Sequence, residues 1–191
     1  MSVVHRFTLG GVADSTLGLQ LLRGYEEPAL PSTRDRAVAI PGRQGEWDFG
    51  ADLRERRISL QCALTGATTQ AGLAALIRAL SAVLLDVDGK PVDCALVFDK
   101  EPTKTYTVRY CGSLSIARLC AATLGKLTIP LVAHDPYAYG AEEETEESIT
   151  VDGQEVTVTN SGAFRSAPVI TLHNVGGTSV TGITLTTKKQ L

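Results

Sequence analysis

Aromatic residues are scarce in this chain, 5% of the total, with a single tryptophan. That leaves few stacking platforms of the kind that hold sugars. No run of 18 or more apolar residues occurs, so no transmembrane helix is expected. The opening segment, Met1-Ser2-Val3-Val4-His5-Arg6, has neither a hydrophobic stretch nor a small-residue cleavage site. It does not read as a secretory signal. Charge of one sign is missing too: 18 Lys and Arg stand against 21 Asp and Glu, for a net charge of -3. Such a chain has no global basic field to hold a polyanion. The four cysteines, Cys62, Cys94, Cys111 and Cys120, form no Cys-x-x-Cys pair. They are expected to be reduced and buried. His5, His134 and His173 lie far apart along the chain, which argues against a zinc site.

What is present is the material of a folded domain. At 191 residues with 43% hydrophobic and 20% charged side chains, the chain can bury a real core. Its acidity is local. Glu142, Glu143, Glu144, Glu146 and Glu147 form one run, and without them 18 basic residues face 16 acidic ones. Like charges packed this closely repel, so residues 141–147 are expected to be a solvated linker. It divides a first domain, residues 1–140, from a second segment, 148–191.

The first domain reads as mainly β. Ile58, Leu60, Cys62 and Leu64 alternate with polar neighbours and mark one buried face of a strand. Cys94 to Asp99 and Thr105 to Tyr110 form two further strands, joined by a polar Pro-containing turn into a hairpin. Ser113 to Ala117 and Gly125 to Val132 continue the set, with Pro130 suggesting an edge or a strand end. One helix is predicted near residues 69–85. Leu73, Leu76, Ile77, Leu80 and Leu84 recur at helical spacing, and Thr68 or Thr69 can cap its start. Its polar face is thin, with Arg78 as its one charge, so it is expected to pack on a sheet and not on a membrane.

The second segment shows alternation without enough strands. Ser-Ile-Thr-Val, Asp152-Gly153 and Gln-Glu-Val-Thr-Val-Thr read as a hairpin over 147–159. Ala167 to His173 and Val180 to Thr187 read as two more strands, after turns at Asn160-Ser161-Gly162 and Gly176-Gly177. Four short strands do not readily close a sandwich, so a partial or truncated second β domain is expected.

Motifs of catalysis are weak throughout. There is no Walker loop, no Gly-x-Gly-x-x-Gly and no Gly-x-Ser-x-Gly elbow. Asp86-Val87-Asp88-Gly89 begins like a calcium loop but lacks the closing glutamate, and a tight Asp-Gly turn explains the same residues. No catalytic residue, cofactor or metal is expected.

The informative stretch runs from Ala39 through Pro41-Gly42-Arg43-Gln44-Gly45-Glu46-Trp47-Asp48-Phe49-Gly50 to Arg56-Arg57-Ile58-Ser59-Leu60. One reading is an ordinary hairpin with a glycine-rich turn, its aromatics covering a sheet edge. The other is an interface element. Trp47 and Phe49 share one face of a strand, and nearby arginines can pair with acids on a neighbouring strand or subunit.

At these residues the chain resembles the distal tail (Dit) protein family of long-tailed phages. Ser15-Thr16-Leu17-Gly18-Leu19 matches the family's opening Ser-x-x-Gly-Leu segment. Pro41 to Gly50 matches its Pro-Gly-Arg-x-Gly-x-aromatic-Asp-Phe-Gly hairpin, followed by the Arg-Arg-Ile-Ser-Leu strand and a leucine-rich helix. Leu96, Phe98, Asp99, Pro102, Lys104 and Tyr106 match a later segment, and Asp135-Pro136-Tyr137 the exit from the first domain. The resemblance covers residues 1 to about 140. It implies an N-terminal β-sandwich or split-barrel domain with one packed helix, tail-tube-like, followed by the start of a galectin-like β-sandwich. It also implies a structural role at the tail tip of the virion. There a hexameric ring joins the tail tube protein to tail-associated or receptor-binding proteins, and DNA transits the lumen without specific binding. No membrane is involved, and synthesis takes place in the host cytoplasm. Arg43, Trp47, Phe49 and Arg56 are the candidate subunit-interface residues. A tail tube protein is a near alternative, and a carbohydrate-binding β module is an alternative of a different class.

Overall fold

The computed structural model describes residues 6–23, 25, 28–118 and 125–186. Two compact units emerge, residues 1–143 and 144–191. The first is built on an eight-stranded sheet in which every pairing is antiparallel. Its strands are β1 (Phe7–Leu9), β2 (Val12–Ala13), β3 (Leu19–Leu21), β6 (Arg56–Leu64), β7 (Asp93–Phe98), β8 (Thr105–Tyr110), β9 (Ile116–Arg118) and β10 (Gly125–Ala133). The order across the sheet is β2-β1-β7-β8-β10-β6-β3, with β9 alongside the start of β10. The sheet curls into a half-barrel, in line with the expected mainly-β, single-helix architecture.

Alternation explains the core. Ile58, Leu60, Cys62 and Leu64 of β6 are buried, as are Leu127, Ile129 and Leu131 of β10. These two strands pair over nine residues, from Gly125 opposite Leu64 to Ala133 opposite Arg56. The β7–β8 hairpin forms in the expected place, with Leu96 across from Tyr106. Phe98 meets Tyr106 edge-on and stacks on Tyr25.

The helix, α1, spans Gln70–Leu84. Thr69 caps it by accepting a hydrogen bond from the Gly72 N–H at 3.0 Å. Leu73, Leu80 and Leu84 are buried in the core. Gly18 lets the chain pass beneath the helix: at φ 63°, a Cβ there would lie 2.6 Å from Leu76 Cδ1 and 3.3 Å from Gly66 Cα.

Three sequence expectations need correction. Pro130 lies on neither an edge nor a strand end: β10 is central, between β6 and β8. The Pro130 carbonyl accepts from the Cys111 N–H at 3.1 Å. In an extended strand the N and C=O of one residue point the same way, so the missing N–H faces the gap between the β9 and β8 ladders. The strand foreseen at Ser113 to Ala117 starts only at Ile116. Among the cysteines, Cys62 and Cys94 are buried and reduced, but Cys111 is exposed at the end of β8. Cys120 lies outside the described residues.

The second unit differs more. Residues 144–186 carry no strand, and Ile149, Val151, Val156, Val158, Phe164 and Ile170 are exposed. The last residue of the strand foreseen at Val180 to Thr187 lies outside the described residues. The turns foreseen there do form. Gln154 accepts from the Thr150 N–H, Asn160 from the Gly162 N–H and Asn174 from the Gly176 N–H. A turn is closed by neighbours in sequence, whereas a strand requires a partner, and an isolated hairpin is marginal in water.

Candidate assembly interface

The remaining strands, β4 (Thr33–Ala39) and β5 (Glu46–Leu53), pair only with each other. Along both strands only Asp52 is even partly covered. The result is a two-stranded arm with neither face against the core. Its turn contains Gly42 and Gly45, both at φ above 80°, closed by the Arg43 N–H donating to the Ile40 carbonyl.

Register decides which side chains share a face. Val38 stands opposite Trp47. Between the Ala37–Asp48 and Asp35–Ala51 pairs, β5 holds one more residue than β4, so a bulge falls at Phe49–Gly50. Gly50 takes it up at φ 92°, and its N–H donates to the Asp48 carboxylate at 2.8 Å. By alternation, Val38, Trp47 and Phe49 then lie on the same face as Arg34, Arg36 and Asp52. The opposite face carries Asp35, Glu46 and Asp48 with alanines between them. Trp47 is 50% exposed and Phe49 62%, while the Arg43 guanidinium sits 4.8 Å from the centre of the Trp47 ring. At the base, Asp52 accepts from Arg36, with Arg34 at 3.8 Å.

The structure thus brings Arg43, Trp47 and Phe49 together on the arm. Arg56 it places elsewhere. This side chain is only 9% exposed, at the first position of β6. Its Nε donates to the Pro136 carbonyl at 3.0 Å, and its guanidinium also donates to the carbonyls of Pro28 and Ala29. It is an internal clamp and not a free surface cation. Sequence reading grouped it with Arg43 because a run of arginines gives no sign of which one turns inward. Val38, Arg34 and Arg36 were missed as arm residues; the alternating Arg34-Asp35-Arg36 was the signal available.

Where the arm joins the sheet, an open concavity of about 360 Å³ is lined by Arg34, Leu53, Arg54, Glu55 and His134. A backbone hydrogen bond first, and then the Arg57 guanidinium at 3.1 Å, hold the Glu55 carboxyl below its ordinary range. The Asp86 carboxylate accepts from the N–H groups of Asp88 and Lys90, so the turn employs it and the calcium-like spacing is a turn signature. Among the described residues, no cluster of three or more His, Cys, Asp or Glu is arranged to hold a metal. No described helix is long and apolar enough to cross a membrane.

The first unit is thus a curled antiparallel β domain with one helix packed against it and a long unpartnered hairpin. Residues 14–133 match the phage tail protein RIFT-related domain, and the chain belongs to that family. The match runs from the turn after β2 to the end of β10 and includes the whole arm. Among solved structures, the chain resembles the Dit protein (gp 19.1) of SPP1, described as a paradigm of the hub adsorption apparatus in Gram-positive infecting phages. Identity is 20% and the TM-score 0.60, over 73% of this chain and 53% of that one. The likeness is thus one of fold, and this chain accounts for about half the length of that protein. No curated protein matches the sequence.

Proposed function

We propose that this phage tail protein forms a ring at the tail tip, joining the tail tube to the host-adsorption apparatus and letting DNA pass. The arm carries the reading. A two-stranded ribbon exposed on both faces is poorly stable alone, and its aromatics sit in water unless another surface covers them. A ring of identical subunits supplies such a surface through a heterologous contact whose rotation closes. Arg43, Trp47 and Phe49 make that contact, while Arg56 anchors the sheet beneath the arm. Six subunits is the number the resemblance to the Dit family suggests. A chain without basic excess leaves DNA free to move through the lumen. Residues 141–147 act as a linker, and 148–191 supply strands of a galectin-like domain that meets tail-associated or receptor-binding proteins of the virion. Synthesis takes place in the host cytoplasm.

Light scattering on a size-exclusion column, with negative-stain images of the peak, tests this. A particle near six times 20.2 kDa with a central hole is expected. Extended tubes would mean a tail tube protein instead, and a monomer at high concentration would overturn the ring.

A further inference from the structure

The concavity at the foot of the arm has an unbalanced charge. Its charged lining is Arg34, Arg54 and Glu55, and ion pairs link this lining to Asp52, Arg36 and Arg57. Arg36 is committed to Asp52 and Arg57 to Glu55. Arg34 is only loosely held, 3.8 Å from a carboxylate that Arg36 already occupies. The Arg54 guanidinium makes no hydrogen bond or ion pair among the described residues. Two guanidinium forks are therefore left over beside His134.

The chain also contains the complementary partner. Glu142, Glu143, Glu144, Glu146 and Glu147 are all exposed, and none makes an ion pair among the described residues. Five like charges within six residues destabilise one another until cations come near. A guanidinium matches a carboxylate in two parallel hydrogen bonds, so two spare arginines suit an acidic segment better than a neutral one.

We propose that the basic concavity at the foot of the arm receives the Glu142–Glu147 run of a second copy of the chain. This deepens the ring reading and rests on it: the arm's apolar face supplies contact area, and the acidic run sets which neighbour docks and in what register. Charge complementarity of this kind governs register and association rate more than raw affinity.

The test uses the full chain with all five glutamates of the run changed to glutamine, so that its own run does not compete. A fluorescent peptide of residues 139–149 is titrated onto it at low salt and read by anisotropy. Saturable binding is expected, about tenfold weaker or more in the R34E/R54E variant and in the milder R34Q/R54Q variant. It is also expected to weaken in 1 M salt, where the Debye length falls to about 3 Å. No binding, equal binding by the arginine variants, or binding no tighter than that of a single-stranded DNA of the same length would overturn the proposal. Particle size of the unaltered chain is scored separately. Rings without peptide binding defeat this inference alone, and peptide binding without rings defeats the ring reading alone.

Discussion

The guanidinium of Arg56 lies 5.3 Å from the centre of the Tyr106 ring, and both side chains are buried. The contact joins the first residue of β6 to β8 across the intervening strand β10. With the carbonyls of Pro28, Ala29 and Pro136 it also ties the segment before the arm and the Asp135-Pro136-Tyr137 exit to the sheet. Asp135 completes the arrangement by accepting from the Tyr139 hydroxyl and the Tyr137 N–H.

Removing that guanidinium takes the donor from the carbonyls of Pro28, Ala29 and Pro136 and leaves a gap beside the buried Tyr106 ring. Arg56→Ala is expected to destabilise the domain on the order of 3 kcal/mol, read from urea unfolding. Arg56→Lys recovers only part, because one ammonium cannot reach three carbonyls in a fork. An Arg56 variant as stable as the parent would show that the clamp carries no weight.

The arm behaves in the opposite way. Trp47→Ala with Phe49→Ala removes half-exposed side chains that touch no part of the core, so the unfolding free energy should stay within about 1 kcal/mol of the parent. The same variant should shift the assembled particle towards monomer in light scattering. Rings that persist at the parent's concentration would exclude these aromatics from the contact.

Gly18→Ala puts a methyl group at a left-handed position and against Leu76 and Gly66. Strain and overlap together are expected to cost about 2 kcal/mol. Leu76→Ala in the same chain should recover part of the loss, since the 2.6 Å clash is with Leu76 Cδ1. If the double variant is no better than the sum of the two single changes, the backbone conformation alone sets the cost.

Burial pushes the Cys62 thiol up to about 12, and the Asp14 carboxylate adds to the shift. The unfolded chain ionises this thiol near its ordinary value of 9.0, and the folded chain does not. Above that pH the unfolded state therefore binds fewer protons, and stability falls. The contribution is intact below pH 9 and is lost progressively up to about 12, at about 1.4 kcal/mol per pH unit. Cys94, also raised by burial, adds to the same slope. Cys62→Ala should flatten the alkaline limb in denaturant titrations, and an unchanged slope would contradict the buried neutral thiol.

Much of the first unit was legible from residue pattern. The helix appeared within one residue of its expected ends because leucine spacing and a threonine cap are local signals. Strands β6, β7, β8 and β10 appeared because one buried face imposes a period of two. Pro130 misled because proline disfavours only one side of a strand, and pattern does not say which side lacks a neighbour. Of the four interface candidates, Arg43, Trp47 and Phe49 lie on the arm and Arg56 turns into the sheet, a division that residue type alone does not reveal.

Local chemistry along the chain settled the turns, the cap, the alternating core faces and the family. Contacts between distant residues settled the rest. They made β10 central, turned Arg56 inward while Arg54 two residues earlier stayed outside, and left β4 and β5 without a sheet to join. In the second unit the turns formed and the strands did not, for the same reason. A turn is complete within a few residues of chain, whereas a strand exists only when another strand takes up its hydrogen bonds.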